Sequence, residues 1–505
     1  MKGFMIQGTG SDVGKSLIVT ALCRMFANEG VKVAPFKSQN MSNNSYVTAD
    51  GLEIGRAQGI QAEAAKTEAS VWMNPILLKP RSDRSSEVVL LGKALKTLSG
   101  KGYRETFYEK GVEVIQRSLH ELSKEYDFLI LEGAGSPVEM NLKDRELVNM
   151  KVAAMADLPV FLAADIDRGG VFASIVGTLE LFSPEERQRV KGILINKFRG
   201  DFSLFHDGVT FLEERTGIPV LGVLPYINNH MIDREDSLSI NEFRSLKKAG
   251  ELEIAVIQLP YASNISDIEP FLHEEDVALR FVRDASEFGK PDAVIIPGTK
   301  STIRDLQSLR QAGLADKIVS FAKEGGFVTG ICGGYQILGK TLIDVEGTDT
   351  GEAGFKEDGL GLIDAVTYFQ KEKKTIRAAG TYHPQTGIGE EPLEGYEIHL
   401  GDTVIADTEK RPLFLFDAER EEGYYGNGGR IIGTYLHHLF HNDGWRNIWL
   451  NRIRDNLNIP QRPRVDVGSL KEERYERLAE DMKKYIDMEQ IKRILLEWDC
   501  EHEND

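Results

Sequence analysis

Residues Gly8-Thr9-Gly10-Ser11-Asp12-Val13-Gly14-Lys15-Ser16 restrict the fold of this chain more than any other stretch. They follow the apolar run Phe4-Met5-Ile6 and open a segment in which Ile18, Ala21, Leu22, Met25 and Phe26 recur at helical spacing, with Gly30 as a natural stop. Glycines between a strand and a helix let backbone N–H groups turn inward around phosphate oxygens, and the helix N-terminus adds favourable dipole charge. Lys15 can reach the outer phosphates of ATP, and Ser16 can offer its hydroxyl to Mg²⁺.

The same alternation of strand and helix runs through the first half. Expected strands are Phe4–Gln7, Val31–Phe36, Phe128–Glu132, Val160–Asp165, Ile193–Asn196 and Val220–Leu224. A second alternation follows the polar stretch Asp233–Gly250, with strands at Ile254–Leu259, Leu279–Val282, Ala293–Pro297, Phe327–Ile331 and Ile431–Tyr435. The pattern predicts an α/β protein of two doubly wound, mostly parallel-sheet domains, residues 1–240 and 251–450, and a C-terminal helical extension, 451–505. A chain of 505 residues exceeds what one core serves, which agrees with that division. The formal net charge of −18 argues against broad nucleic-acid or anionic-membrane binding. Cys23, Cys332 and Cys500 form neither a disulfide framework nor a metal-spaced cluster. With no signal-peptide pattern and no apolar segment of membrane-spanning length, a reducing cytoplasm is the expected compartment.

Two chemical centres are expected. In the first, Lys37 ends the strand leading into Ser38-Gln39-Asn40, where it can stabilise a transferring phosphoryl group. Glu53 and Glu132 are candidate carboxylate ligands for Mg²⁺. Glu132 is the sharper one, because it ends an otherwise apolar strand where an unpartnered charge is costly; a solvated helix residue is the other reading of Glu53. Five residues separate Gly8 from Gly14, one more than the usual phosphate loop. That longer loop, with Lys37, Glu53 and Glu132, resembles the dethiobiotin synthetase-like P-loop synthetases, which activate a carboxylate with ATP and Mg²⁺ before nitrogen joins the activated carbon. The resemblance implies that Lys37 is catalytic, that Glu53 (an aspartate in the simplest members) and Glu132 bind metal, and that Asn196 lies near the adenine; a strand-end cap is the other reading of Asn196.

In the second centre, Phe327-Val328-Thr329-Gly330-Ile331-Cys332-Gly333-Gly334 reads as a strand, a sharp turn and a helix, with a thiol at the turn. The helix N-terminus favours thiolate, and N–H groups at Gly333 and at the Gly298 turn can hold an oxyanion. His437, at the end of the strand Ile431–Tyr435, is the expected base, with His438 and His399 as lesser candidates. This half resembles class I glutamine amidotransferase domains. Those place a glutamate two residues after the histidine, where this chain has Leu439, so a Cys332–His437 dyad is the expectation.

The two halves in this order resemble the corrin-amidating synthetase families. Gln39-Asn40-Met41-Ser42-Asn43-Asn44, Asn74-Pro75-Ile76-Leu77-Leu78-Lys79-Pro80 and Ala164-Asp165-Ile166-Asp167-Arg168-Gly169-Gly170 favour the cobyric acid synthase family over the a,c-diamide synthases. The resemblance implies ATP- and glutamine-dependent amidation of the b, d, e and g carboxylates of adenosylcobyrinic acid a,c-diamide. Asp144 is then a candidate substrate contact, and Arg81, Arg84 and Arg168 are candidate partners for an anionic corrinoid. The alternative of another class is a P-loop regulatory ATPase carrying an inactive amidotransferase-like domain.

Overall fold

The computed structural model describes residues 2–82, 85–99, 107–141, 143–227, 252–406, 411–416 and 420–502. The expected polar boundary Asp233–Gly250 lies outside the described residues. The chain divides into two compact units, Met1–Glu235 with Ser469–Asp505, and Asp236–Gly468.

In the first unit the six apolar runs form one sheet in the order Val220–Pro225, Val190–Phe198, Val160–Asp165, Gly3–Gly8, Phe128–Glu132 and Val33–Phe36. Every pairing along that path is parallel. Strands covered on both faces read as continuous apolar runs, because successive side chains point to opposite sides and both sides are dry. Met5, Ala34, Leu129, Leu131 and Leu162 accordingly enter one core. Their neighbours Phe4, Ile6, Val33, Phe128, Ile130 and Phe161 enter another. Four of the aromatics interlock there, with Phe26 stacked on Phe128 at 4.7 Å between centroids and Phe4 tilted against Phe161 at 4.9 Å.

The second unit repeats the plan. Val277–Val282, Leu252–Ile257, Ala293–Ile296, Phe327–Ile331 and Ile431–Thr434 run parallel, and Tyr424–Gly426 adds an antiparallel edge. Further antiparallel sheets accompany these two cores. In the first unit, Ile76–Ser82, Ser85–Leu90 and Lys93–Ser99 form consecutive hairpins. In the second, the long strands Ala365–Tyr382 and Pro392–Ile405 pair, and Pro392–Ile405 also takes Leu436–His437. These were not anticipated: one face of Ala365–Tyr382 is solvated and the stretch carries Lys371-Glu372-Lys373-Lys374, so no apolar run marks it.

The C-terminal helices Val467–Lys483 and Met488–His502 place Tyr475, Leu478, Met482 and Ile491 in the same core as Phe4 and Leu22. Beside them the fully buried Arg24, from the helix Lys15–Asn28, meets Glu472 at 2.9 Å and Glu476 at 3.2 Å. Removing both carboxylates (Glu472→Gln with Glu476→Gln) strands a buried guanidinium. This should cost about 2 kcal/mol, below the range for a fully enclosed pair because the carboxylates are half exposed. Arg24→Met leaves no buried charge and should cost less than the double variant. Amide hydrogen exchange over residues 469–502 checks the order, and equal protection loss in the two variants would contradict it.

Candidate functional site

The sheet register builds the first centre. Ile6 pairs with Glu132, and Phe36 pairs with Leu131, so the phosphate loop, Glu132 and Lys37 leave the sheet at the same edge. Gly14 sits at φ 94°, and a Cβ there would fall 2.1 Å from the Asn196 side-chain nitrogen, so only glycine fits. Gly8 ends its strand, and the Thr9 N–H donates to the Ala163 carbonyl at 2.9 Å. Gly10, Ser11, Asp12 (φ 58°) and Val13 complete the turn. Lys15 Nζ donates to the carbonyls of Gly10 at 3.1 Å and Gly135 at 3.3 Å. Asn196 is buried and donates to the Val13 carbonyl at 2.8 Å, bracing the loop from beneath as a cap. Lys197, unmarked by the sequence reading, does the same from φ 63°, reaching the Asp12 carbonyl at 2.5 Å and Asp165 at 2.8 Å.

Glu132 is the hub. It is 1% exposed, and its Oε1 accepts from Ser16 Oγ at 2.8 Å and Lys37 Nζ at 3.0 Å. Gln61, on the helix Arg56–Ala64, donates to Oε2 at 2.6 Å. Burial alone would raise this carboxyl, but Lys37, the Gln61 and Ser16 hydrogen bonds and Lys15 hold it below the usual carboxylate range. Glu53, the other expected Mg²⁺ ligand, is buried, accepts from Ser45 Oγ at 2.6 Å and pairs with the fully buried Lys79. It is therefore not a solvated helix residue.

An ionised Glu132 and a Ser16 hydroxyl offer the hard oxygens that Mg²⁺ takes, with water and phosphate supplying the rest. Among the described residues there is no cluster of three His, Cys, Asp or Glu side chains for a metal. A cavity of about 460 Å³ opens beside the loop, walled by Met41, Leu78, Val88, Tyr108 and Pro137, with Gly135 and the cations Lys143 and Arg145 in its lining. Asp144 stands exposed on the short helix Lys143–Arg145 between those cations. Arg168 reaches Asp12 at 3.5 Å; Arg81 lies on Ile76–Ser82, and Arg84 is outside the described residues.

The second centre is a strained elbow. Cys332 ends the strand Phe327–Ile331 at φ 52°, ψ −110°, and its thiol donates to the Ile398 carbonyl at 3.4 Å. A Cβ on Gly333 would fall 2.4 Å from Thr299 Cγ2 and 3.0 Å from its nitrogen, so the two glycine turns abut. A Cβ on Gly298 would lie 3.2 Å from His437 Cε1, which puts that turn against the ring. His437 leaves Ile431–Thr434, joins the antiparallel sheet opposite Tyr396, and stacks on that ring at 5.2 Å.

Beside the expected Cys332–His437 dyad stands a carboxylate. Asp267, from the 3₁₀ segment Ile265–His273, places Oδ2 at 2.7 Å from His437 Nδ1, and both side chains are almost fully buried. The carboxylate comes from a different part of the chain than Leu439, so motif spacing alone could not reveal it. Burial would push the imidazole down, yet Asp267, with Cys332 adding to it, moves it up to about 10. His438 contributes its backbone N–H to Asp267, and His399 is engaged with Gly401, Glu397 and the Tyr435 ring.

A phosphate loop on one parallel sheet and a cysteine elbow on another define a two-centre protein of the P-loop and glutamine-amidotransferase class. Residues 4–238 match the CobQ/CobB/MinD/ParA nucleotide binding domain, and residues 253–445 the CobB/CobQ-like glutamine amidotransferase domain. Over 504 residues, 98% of each chain, the sequence is 47% identical to a cobyric acid synthase of Desulforamulus reducens. It is 48% identical over 500 residues, again 98% of each chain, to one of Geobacillus kaustophilus. The chain belongs to the cobyric acid synthase family. Among the described residues no helix is long and apolar enough to cross a membrane.

The raised His437 value fixes a sign: the ring stays an imidazolium at neutral pH and loses its proton only near 10. Side-chain NMR of ¹³C-histidine-labelled protein, assigned with His437→Gln, should show a charged ring through pH 8.5. A midpoint near 6.5 would count against the Asp267 pairing.

Proposed function

We propose that the chain amidates the b, d, e and g carboxylates of adenosylcobyrinic acid a,c-diamide, using ATP, Mg²⁺ and glutamine. The observation that carries this reading is the cavity beside the phosphate loop. Gly135 lines it and also holds Lys15, so a carboxylate seated there lies next to the phosphates it must attack. Its broad apolar wall suits a macrocycle, and its lining carries the cations Lys143 and Arg145 beside the acids Glu139 and Glu146.

A carboxylate is a poor electrophile, so its oxygen first attacks the terminal phosphorus of ATP, and ADP leaves. Loop N–H groups, Lys15 and Lys37 stabilise the charge spread over the transferring phosphoryl oxygens. Ser16 and Glu132 would hold Mg²⁺, which neutralises phosphate charge when bound. Ammonia then attacks the acyl carbon, phosphate departs with the C–O electron pair, and the nitrogen sheds a proton.

Ammonia comes from the second centre. Cys332 Sγ attacks the glutamine side-chain amide, N–H groups around Gly298 and Gly333 receive the oxyanion, and His437 hands its proton to the leaving ammonia. Water, giving a proton back to His437, then cleaves the thioester to glutamate and frees Cys332. Making ammonia in place avoids dependence on the small free-base fraction in solution at neutral pH.

Mass spectrometry of the diamide incubated with enzyme, ATP, Mg²⁺ and glutamine should give four successive losses of about one mass unit, as each OH becomes NH₂. Two steps from the unamidated acid would indicate an a,c-diamide synthase instead. ATP hydrolysis without any mass change would favour the regulatory-ATPase reading. Cys332→Ala should abolish glutamine use and keep amidation with concentrated ammonium salts. Lys15→Ala should lose both routes, and ammonia-dependent product from it would refute carboxylate activation at the loop.

A further inference from the structure

The proposal that Cys332 consumes glutamine leaves open what orients its base once the usual glutamate position holds Leu439. Asp267 answers by geometry. Its two carboxylate oxygens have separate tasks: Oδ2 meets His437 Nδ1 at 2.7 Å, and Oδ1 accepts the His438 backbone N–H at 2.8 Å. The carboxylate is thus pinned to the backbone that carries the histidine, and the ring cannot rotate without breaking that contact. The Asp267 N–H in turn donates to the Asn264 carbonyl at 3.0 Å, where Asn264 occupies the left-handed region at φ 53°. Asp267 is 2% exposed, so the pair works without competition from water.

We infer that Asp267 is the positioning residue of the glutamine-cleaving centre, supplying from the 3₁₀ segment Ile265–His273 the carboxylate that class I domains take from beside the histidine. With Nδ1 turned to Asp267, Nε2, which the Asn264 side-chain amide approaches at 3.2 Å, is the ring nitrogen assigned to proton transfer with the departing ammonia and the hydrolytic water. Triads are defined by such roles and not by sequence order. The step keeps its balance: the proton that His437 gives to the departing ammonia is regained from the water that cleaves the thioester.

The inference rests on Cys332 being the glutamine nucleophile, so its test separates the two. Asp267→Asn keeps an oxygen for the His438 N–H but presents an amide donor to Nδ1, which selects the wrong imidazole tautomer. In the full-length enzyme, glutamine-dependent kcat should fall between about 10²- and 10⁴-fold with KM for glutamine changed less than about 3-fold. Amidation with ammonium salts should keep its wild-type rate, and Asp267→Glu should recover part of kcat. In parallel, a diazoketone analogue of glutamine should label Cys332 of wild type far faster than that of Asp267→Asn.

Equal labelling and an unchanged kcat would overturn the role of Asp267 and leave the nucleophile in place. A loss seen as raised KM, with no recovery by glutamate, would reduce Asp267 to a structural residue and overturn the inference. Absence of labelling in the wild type would overturn both it and the reading of Cys332 beneath it.

Discussion

A negative charge held dry at the end of an apolar strand organises the first unit. Taking the Glu132 carboxylate out of water costs several kcal/mol unless partners replace its hydration. Those partners come from three separate segments: Ser16 from the phosphate loop, Lys37 from the end of a neighbouring strand, and Gln61 from the helix Arg56–Ala64. Each must therefore arrive within hydrogen-bond reach of one carboxyl group. The parallel register makes this feasible, because Ile6 lies level with Glu132, and Phe36 with Leu131, across three adjacent strands. Fold and chemistry share one constraint, since the group most costly to bury is also the one suited to a cation.

That constraint explains which parts could be read from the sequence. Glu132 was conspicuous because it interrupts Phe128-Leu129-Ile130-Leu131, and the six strands were conspicuous because both of their faces are dry. Gln61 was not, because a neutral amide in the polar-and-small stretch Arg56–Ala64 looks like any solvated residue until the carboxylate it serves is located. Glu53 resisted for the opposite reason. Its partner Lys79 lies on an antiparallel hairpin whose existence the local pattern did not announce. Long-range pairings between polar groups leave no periodic trace, whereas strand burial does.

The second centre shows the same division. The cysteine elbow is local: a strand, a strained residue and glycines that must be small are consecutive in sequence, so the motif carries its own geometry. The acid is not local. Asp267 precedes His437 by well over a hundred residues, and only the pairing of the sheets and the turn at Asn264 bring them together. The antiparallel sheet that escaped prediction fixes the histidine through Tyr396 and offers the Ile398 carbonyl to the thiol. A part of the fold invisible to periodicity is thus what aligns the reacting groups.

The two centres solve opposite electrostatic problems. At Glu132, cations and amide donors keep a buried acid ionised; at His437, a buried acid keeps a base protonated against desolvation that would strip it. An imidazolium held so firmly is a strong partner for a thiolate but a reluctant proton donor. Its proton becomes transferable only when negative charge leaves the sulfur for the substrate and the attraction holding the proton weakens. Attack on glutamine does this, because the charge passes from Sγ to the oxyanion and then into the leaving nitrogen. In the inferred arrangement Asp267 thereby couples proton release to substrate attack, which suits a centre whose ammonia is useful only when an activated carboxylate awaits it.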